Sequence, residues 1–137
     1  MIQTRGERNC NPGLIDRNGG TLWQGMAEVQ TDSRFVTFTD PVFGIRALAK
    51  VLLSYYRKHH LYTVHAIIDR WAPPSENNTG AYINHVASEL GVGIDAPVDL
   101  EDPGMLEALV KAIIEHENGH CAYGDDTIRK GIDSALA

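Results

Sequence analysis

The sequence predicts an α-rich α+β fold: a single helical domain with a small β region near its N-terminus. Three observations predict it. Apolar residues recur at helical spacing in five stretches after residue 40; the pairs Asp40-Pro41 and Asp102-Pro103 supply N-cap and first-turn proline signals; and the first forty residues are rich in Gly, Asn, Asp and Thr, with two short strand-like runs.

The strand-like runs are Thr21 to Ala27 and Arg34 to Thr39, although Phe35 and Phe38 in the second do not alternate strictly. A loop and a small hairpin-like region are expected there. Asp40-Pro41 then opens a helix carrying Ile45, Leu48, Ala49, Leu52, Leu53 and Tyr56 to about Lys58. A second helix starts near Thr63, with Val64, Ile67, Ile68 and Trp71 on one face, and Pro73-Pro74 stops it. The third begins near Thr79, turns Tyr82, Ile83, Val86 and Leu90 inward, and ends at Gly91. Asp102-Pro103 opens a fourth that closes at Asn118-Gly119, and Asp125 or Asp126 caps a last one through Leu136.

A chain of 137 residues with 43% hydrophobic and 22% charged content reads as one domain, 1–137. A domain of this size buries about 68% of its unfolded surface and needs no metal or disulfide to fold. The net charge is -6 and the only basic cluster is Arg57-Lys58-His59-His60, which suits a solvated helix C-terminus. A phosphate-tracking nucleic-acid surface is therefore not expected. Met1 to Gly6 lack the apolar core of a signal peptide, and no apolar run approaches a membrane span, so synthesis in the cytoplasm without membrane insertion is expected.

In the fourth helix Leu106, Leu109, Val110, Ile113 and Ile114 form one stripe. Glu117 lies eleven positions after Leu106, which at about 100° per residue returns it to the middle of that stripe. A carboxyl group facing a core has its ionised form disfavoured, which is what a glycosidase needs of the acid that protonates a leaving oxygen. The alternative is that Asn118-Gly119 unwinds the last turn and Glu117 reaches solvent.

The segment Ala112-Ile113-Ile114-Glu115-His116-Glu117-Asn118-Gly119 resembles the helix of lysozyme-like transglycosylases that ends in a catalytic glutamate, a small polar residue and glycine. That resemblance implies Glu117 as general acid. In those families, flagellar-type glucosaminidases among them, a Gly/Asn-rich β region follows the glutamate. Here similar pieces, Asn9-Cys10-Asn11-Pro12-Gly13, Trp23-Gln24-Gly25 and Phe35-Val36-Thr37-Phe38, stand at the opposite end of the chain. Trp71 to Val86 is similar to the later segment in which Pro and Glu-Thr lead into a cleft tyrosine, here Tyr82. This order is the one a circular permutation of the lysozyme-like domain gives.

Nearly the full chain also resembles a family of phage and prophage virion structural proteins, with an Asn-Asn-Asn-Pro-Gly-Asn opening, a Trp-Ala-Pro-Pro segment and a His-Glu-Asn-Gly segment. It departs from that pattern at Cys10 and Leu14, where asparagine is usual, and at His120-Cys121, where Gly-Asn is common. The resemblances together imply a peptidoglycan glycan-strand hydrolase, whether muramidase, glucosaminidase or lytic transglycosylase, that uses no cofactor and no metal. Its partner would be the glycan strand. It would act as a monomer or as part of a phage virion or secretion assembly, in the periplasm and cell wall or on the virion. A non-catalytic virion structural or binding protein is the alternative.

A second carboxylate facing the acid is usual in hydrolases. Asp16, Glu28 and Asp32 lie in the expected β region, and each also reads as an ordinary loop or surface acid; Glu7 ranks below Glu117 as a further catalytic candidate. Trp23 and Tyr82 are candidates for sugar stacking, whereas Trp71 ends an apolar stripe and reads as core. Asn9, Asn11 and Asn118 are candidates for polar contacts to the strand. His116-Glu117-Asn118-Gly119-His120 also satisfies the H-E-x-x-H pattern of zinc metallopeptidases, but Asn-Gly interrupts the helical turn the two histidines need. In a permuted domain Cys10 and Cys121 fall in adjacent segments, so they are either a disulfide pair or two unrelated thiols.

Overall fold

The computed structural model describes residues 2–137. The chain folds as α1 (Arg5–Arg8), a 3₁₀ turn (Arg17–Gly19), α2 (Pro41–Arg57), α3 (Val64–Trp71), α4 (Thr79–Leu90), α5 (Pro103–Asn118) and α6 (Asp125–Leu136). Helices α2 to α6 occupy the five predicted stretches.

Local chemistry explains the boundaries. The Asp40 carboxylate accepts from the Val42 N–H at 2.9 Å, with Pro41 opening α2. Thr63 caps α3 by accepting from the Ala66 N–H, and Asn78 caps α4 by accepting from the Ala81 N–H. Gly91 and Gly119 end α4 and α5 in the left-handed conformation that glycine tolerates best. Two expected caps differ. Asp102 precedes α5 but makes no side-chain capping bond. Gly124, not Asp125 or Asp126, is the N-cap of α6; the two acids occupy the first turn, where the helix dipole favours negative charge, and Asp125 bonds Lys111 at 2.6 Å. Helix α1 was not anticipated, although Thr4 and Glu7 form a reciprocal capping box around it.

The main core is built from the inward stripes of α2 to α6, with Leu48, Leu52, Ile67, Leu106, Leu109, Ile113 and Ile128 fully buried. Helix α6 packs along α2 at Gly131, where a Cβ would meet the Ile45 side chain at 2.5 Å. A second, smaller core joins Ile15, Val36 and Phe38 to Ala47 of α2. At Gly44 the N-terminal segment runs so close to α2 that a Cβ would overlap the Cys10 carbonyl.

The expected strands Thr21–Ala27 and Arg34–Thr39 are not formed. Among the described residues this region contributes only two isolated bridges, Asp16 with Phe35 and Met26 with Phe38; a third, Thr63 with Pro97, lies elsewhere. Scattered backbone bonds, such as Ala27 N–H to the Thr37 carbonyl and Val36 N–H to the Ile15 carbonyl, are supplemented by side chains that bond the backbone locally. The Gln30 amide bonds the Ala27 and Thr37 carbonyls and accepts from the Thr37 N–H. Buried Asn11 donates to the Ile15 and Val36 carbonyls and accepts from the Ile15 N–H. Asp32 accepts from the Arg34 and Phe35 N–H groups.

Two residues of this segment hold left-handed backbone without being glycine, Cys10 at φ 52° and Leu14 at φ 50°. Asparagine, usual at both positions in the family that the chain resembles, suits that conformation better than either side chain present.

Candidate functional site

The last turn of α5 carries Glu117 out of a stripe whose Leu106, Leu109, Val110, Ile113 and Ile114 are all fully buried. Glu117 itself is half-buried. One of its oxygens is held: the Tyr82 hydroxyl of α4 donates to Glu117 Oε2 at 2.7 Å and accepts from the Trp71 indole N–H at 3.1 Å. Three helices thus fix one carboxylate through two aromatic side chains. Burial, and then the Glu117 charge beside it, push the Tyr82 phenol above its ordinary range, which keeps it a proton donor. Among the described residues Oε1 takes no hydrogen bond.

Glu117 lines a cavity of about 640 Å³. Its other walls are the loop Gly13 to Asp16 with Arg34 and Phe35, the α2 residues Val51 and Tyr55, and Trp71 with the turn that reaches Glu76 and Asn77. Asp16 accepts from the Asn18 N–H at 2.8 Å and pairs with Arg34 at 3.0 Å; these, in that order, lower its pKa below the ordinary carboxylate range. The cavity therefore holds Glu117, an ionised carboxylate at Asp16, a further acid at Glu76, an arginine and three aromatic side chains.

The N-terminal segment is locked onto the end of α5. Thr4 Oγ1 donates to Asn118 Oδ1 at 2.7 Å, the Asn118 amide donates to the Pro12 and Ile114 carbonyls at 2.9 Å each, and His120 Nε2 lies 3.0 Å from Glu7 Oε2. The two segments containing Cys10 and Cys121 are thus neighbours, and both thiols are free. The docking positions the Gly13 to Asp16 wall.

The predicted site residues divide. Glu117 lines the cavity, and Tyr82 lies directly beneath it, 1% exposed. Trp71, expected as core, lines the cavity, whereas Trp23 packs on the second core beside Met26. Asn9 and Asn11 are buried and Asn118 is half-buried, with their amides committed to internal partners. Glu28 is exposed and does not line the cavity. Asp32 is bound by Arg5 at 2.8 Å, and Glu7 is held by Thr4 and His120 away from Glu117. His116 and His120 do not share a helical face: Gly119 ends α5, His116 stacks on Tyr82 and His120 pairs with Glu7. That arrangement breaks the H-E-x-x-H reading. No periodicity or motif marks Arg34 and Tyr55; Glu76 and Asn77 fall inside the Trp71 to Val86 segment, where only Tyr82 is singled out.

No protein-family model matches the chain. Over 131 residues it is 40% identical to Protein P5 of Pseudoalteromonas phage PM2, a span covering 94% of this chain and 80% of that protein. The chain belongs to the family of Protein P5. The resemblance to phage proteins is thereby supported by a phage relative matched over 94% of the chain. Among the described residues no helix is long and apolar enough to cross a membrane.

Proposed function

We propose that this phage-family protein cleaves the glycan strands of peptidoglycan, with Glu117 as the general acid, on a circularly permuted lysozyme-like scaffold. The observation that carries the reading is the half-buried carboxyl at the cavity wall, oriented through one oxygen by Tyr82 and Trp71 and, among the described residues, without a hydrogen-bond partner at the other. A glycan strand in the cavity would receive its proton from Glu117 at the scissile oxygen. Asp16, held ionised by its hydrogen bonds and Arg34, is suited to stabilise positive charge on the sugar or to activate water. The N-terminal loop docked on α5 takes the place of the β region that follows the glutamate in lysozyme-like enzymes. The protein would act in the cell wall during phage entry or release, on the virion or as a free protein.

The test is a zymogram and turbidity assay on purified peptidoglycan. Glu117→Gln keeps shape but cannot deliver a proton, so lysis should fall at least about a hundredfold while circular dichroism is unchanged. Lysis near the unmutated rate would remove Glu117 from the role. Mass analysis of the fragments identifies the bond cut and separates hydrolysis from intramolecular transglycosylation by the presence or loss of one water.

Membership of the P5 family is also compatible with a second reading, a virion structural or binding component without catalysis. It is distinguished by retention on peptidoglycan without release of fragments.

A further inference from the structure

We propose that His85 and Glu89 of α4 and Glu115 of α5 form a site for a divalent transition-metal cation of the zinc type, bridging the two helices on the face behind Tyr82. His85 and Glu89 are four residues apart and so project from one side of α4, and Glu115 reaches them from the neighbouring helix. One donor atom from each, the imidazole nitrogen and two carboxylate oxygens, lies within 4.8 Å of the others. Both separations from His85 Nε2 are too long for a hydrogen bond, 3.7 Å to Glu89 and 4.0 Å to Glu115. They are close to what one shared ion requires: metal–ligand bonds of about 2.1 Å in a tetrahedral arrangement set donors roughly 3.4 Å apart. Small rotamer adjustments of partly exposed side chains close the difference.

Charge points the same way. Among the described residues neither Glu89 nor Glu115 has a Lys or Arg partner within ion-pair distance; their only cationic candidate is His85. A second observation concerns the far nitrogen of that ring. His85 Nδ1 lies 2.9 Å from His116 Nδ1, so one ring must donate to the other. With His85 donating, its Nε2 lone pair is aimed between two carboxylates, a repulsive arrangement that a cation resolves. Metal-bound histidines ordinarily have the second nitrogen fixed in this way. His116 is itself fixed, its ring stacked on Tyr82 with centroids 3.6 Å apart. One imidazole and two carboxylates, with room for water, select zinc-like ions over the all-oxygen preference of magnesium. The bound ion would fasten the helix that carries Tyr82 to the helix that carries Glu117. The site stands apart from the cavity, and its assignment does not depend on the reaction proposed there.

The test is calorimetric titration of chelator-treated, dialysed protein with zinc chloride, paralleled by cobalt chloride followed in the visible spectrum. Unmutated protein should bind one equivalent and show the absorption of protein-coordinated cobalt, and zinc should raise its melting temperature. His85→Ala and Glu115→Gln, both at surface positions, should weaken binding by at least about tenfold and abolish the thermal shift. His116→Phe preserves a ring against Tyr82 but removes the nitrogen that orients His85, and should weaken binding about tenfold. His120→Ala should bind as the unmutated protein does. Absence of saturable binding overturns the proposal, as does binding that survives His85→Ala and Glu115→Gln; the latter would assign the metal to the thiols or other histidines, and unchanged binding by His116→Phe would overturn the orienting role.

Discussion

The Tyr82 hydroxyl, buried between α4 and α5, donates to Glu117 Oε2 at 2.7 Å while accepting from the Trp71 indole. The direction in which Glu117 faces the cavity is therefore set by the core and not by the fraying end of a helix. Tyr82→Phe keeps the packing and removes both bonds. A hydrogen bond contributes about 0.5–1.5 kcal/mol net, so the loss of both should cost roughly 1–2 kcal/mol of stability in urea unfolding. On peptidoglycan fragments it should lower kcat about tenfold with little change in KM, because the acid is less well oriented.

Asn11 is fully buried and makes three hydrogen bonds to backbone groups of the segment that forms the cavity wall. Asn11→Ala strands the Ile15 N–H and the Val36 carbonyl, while the Ile15 carbonyl keeps the Val36 N–H as a donor. The expected cost is about 2–4 kcal/mol, read from the shift in denaturation midpoint. A loss below about 0.5 kcal/mol would show that water or a rearranged loop replaces the amide.

Asp32 is held below the ordinary carboxylate range first by Arg5, then by the Phe35 and Arg34 N–H groups. Glu7 is lowered in the same direction, chiefly by the Thr4 N–H. A carboxylate with a depressed native pKa binds protons more readily when unfolded, so its stabilisation is complete above about pH 4 and is lost as pH falls through the lower native value. Stability measured from about pH 5 down to pH 2 should therefore decline, and Asp32→Asn should flatten that decline. An unchanged slope in the variant would remove Asp32 as its source.

Leu14 holds a left-handed backbone at the cavity rim, a conformation that costs an L-residue roughly 1–2 kcal/mol. Leu14→Asn should recover part of this and raise stability by up to about 1 kcal/mol, seen as a higher melting temperature. A lower melting temperature would mean that the leucine side chain contributes more by packing than the backbone loses.

The helical part of the fold was legible because its signals are local. Asp40-Pro41, the Thr63 cap and Gly91 act on the backbone within a turn of where they stand, and the apolar stripes run without interruption. Glu117 was legible for the same reason, as a charge at a core position on a regular helix. The first forty residues were not. Their structure depends on single side chains, Asn11, Gln30 and Asp32, that bond backbone groups 2 to 25 residues away, and no periodicity records such bonds. Trp71 reads as core because its helix is apolar there; its indole nitrogen has the Tyr82 hydroxyl as partner, and part of its surface is left to the cavity. The acids Asp32 and Glu7 were indistinguishable in sequence from Asp16, and only the long-range pairing with Arg5, His120 or Arg34 separates them.

The lock between the N-terminal segment and the end of α5 also orders events in time. Thr4, Glu7 and Pro12 leave the ribosome early, yet their partners Asn118 and His120 lie 106 to 114 residues further along. At ordinary translation rates the first segment waits on the order of ten seconds for the surface that completes it. A stretch rich in Asn, Gly and Asp tolerates that wait better than an apolar strand would, because it offers little for other nascent chains to stick to. The wall containing Asp16 can therefore be set against Glu117 only late in synthesis, so a growing chain carries no assembled cleft until it has reached Asn118 and His120.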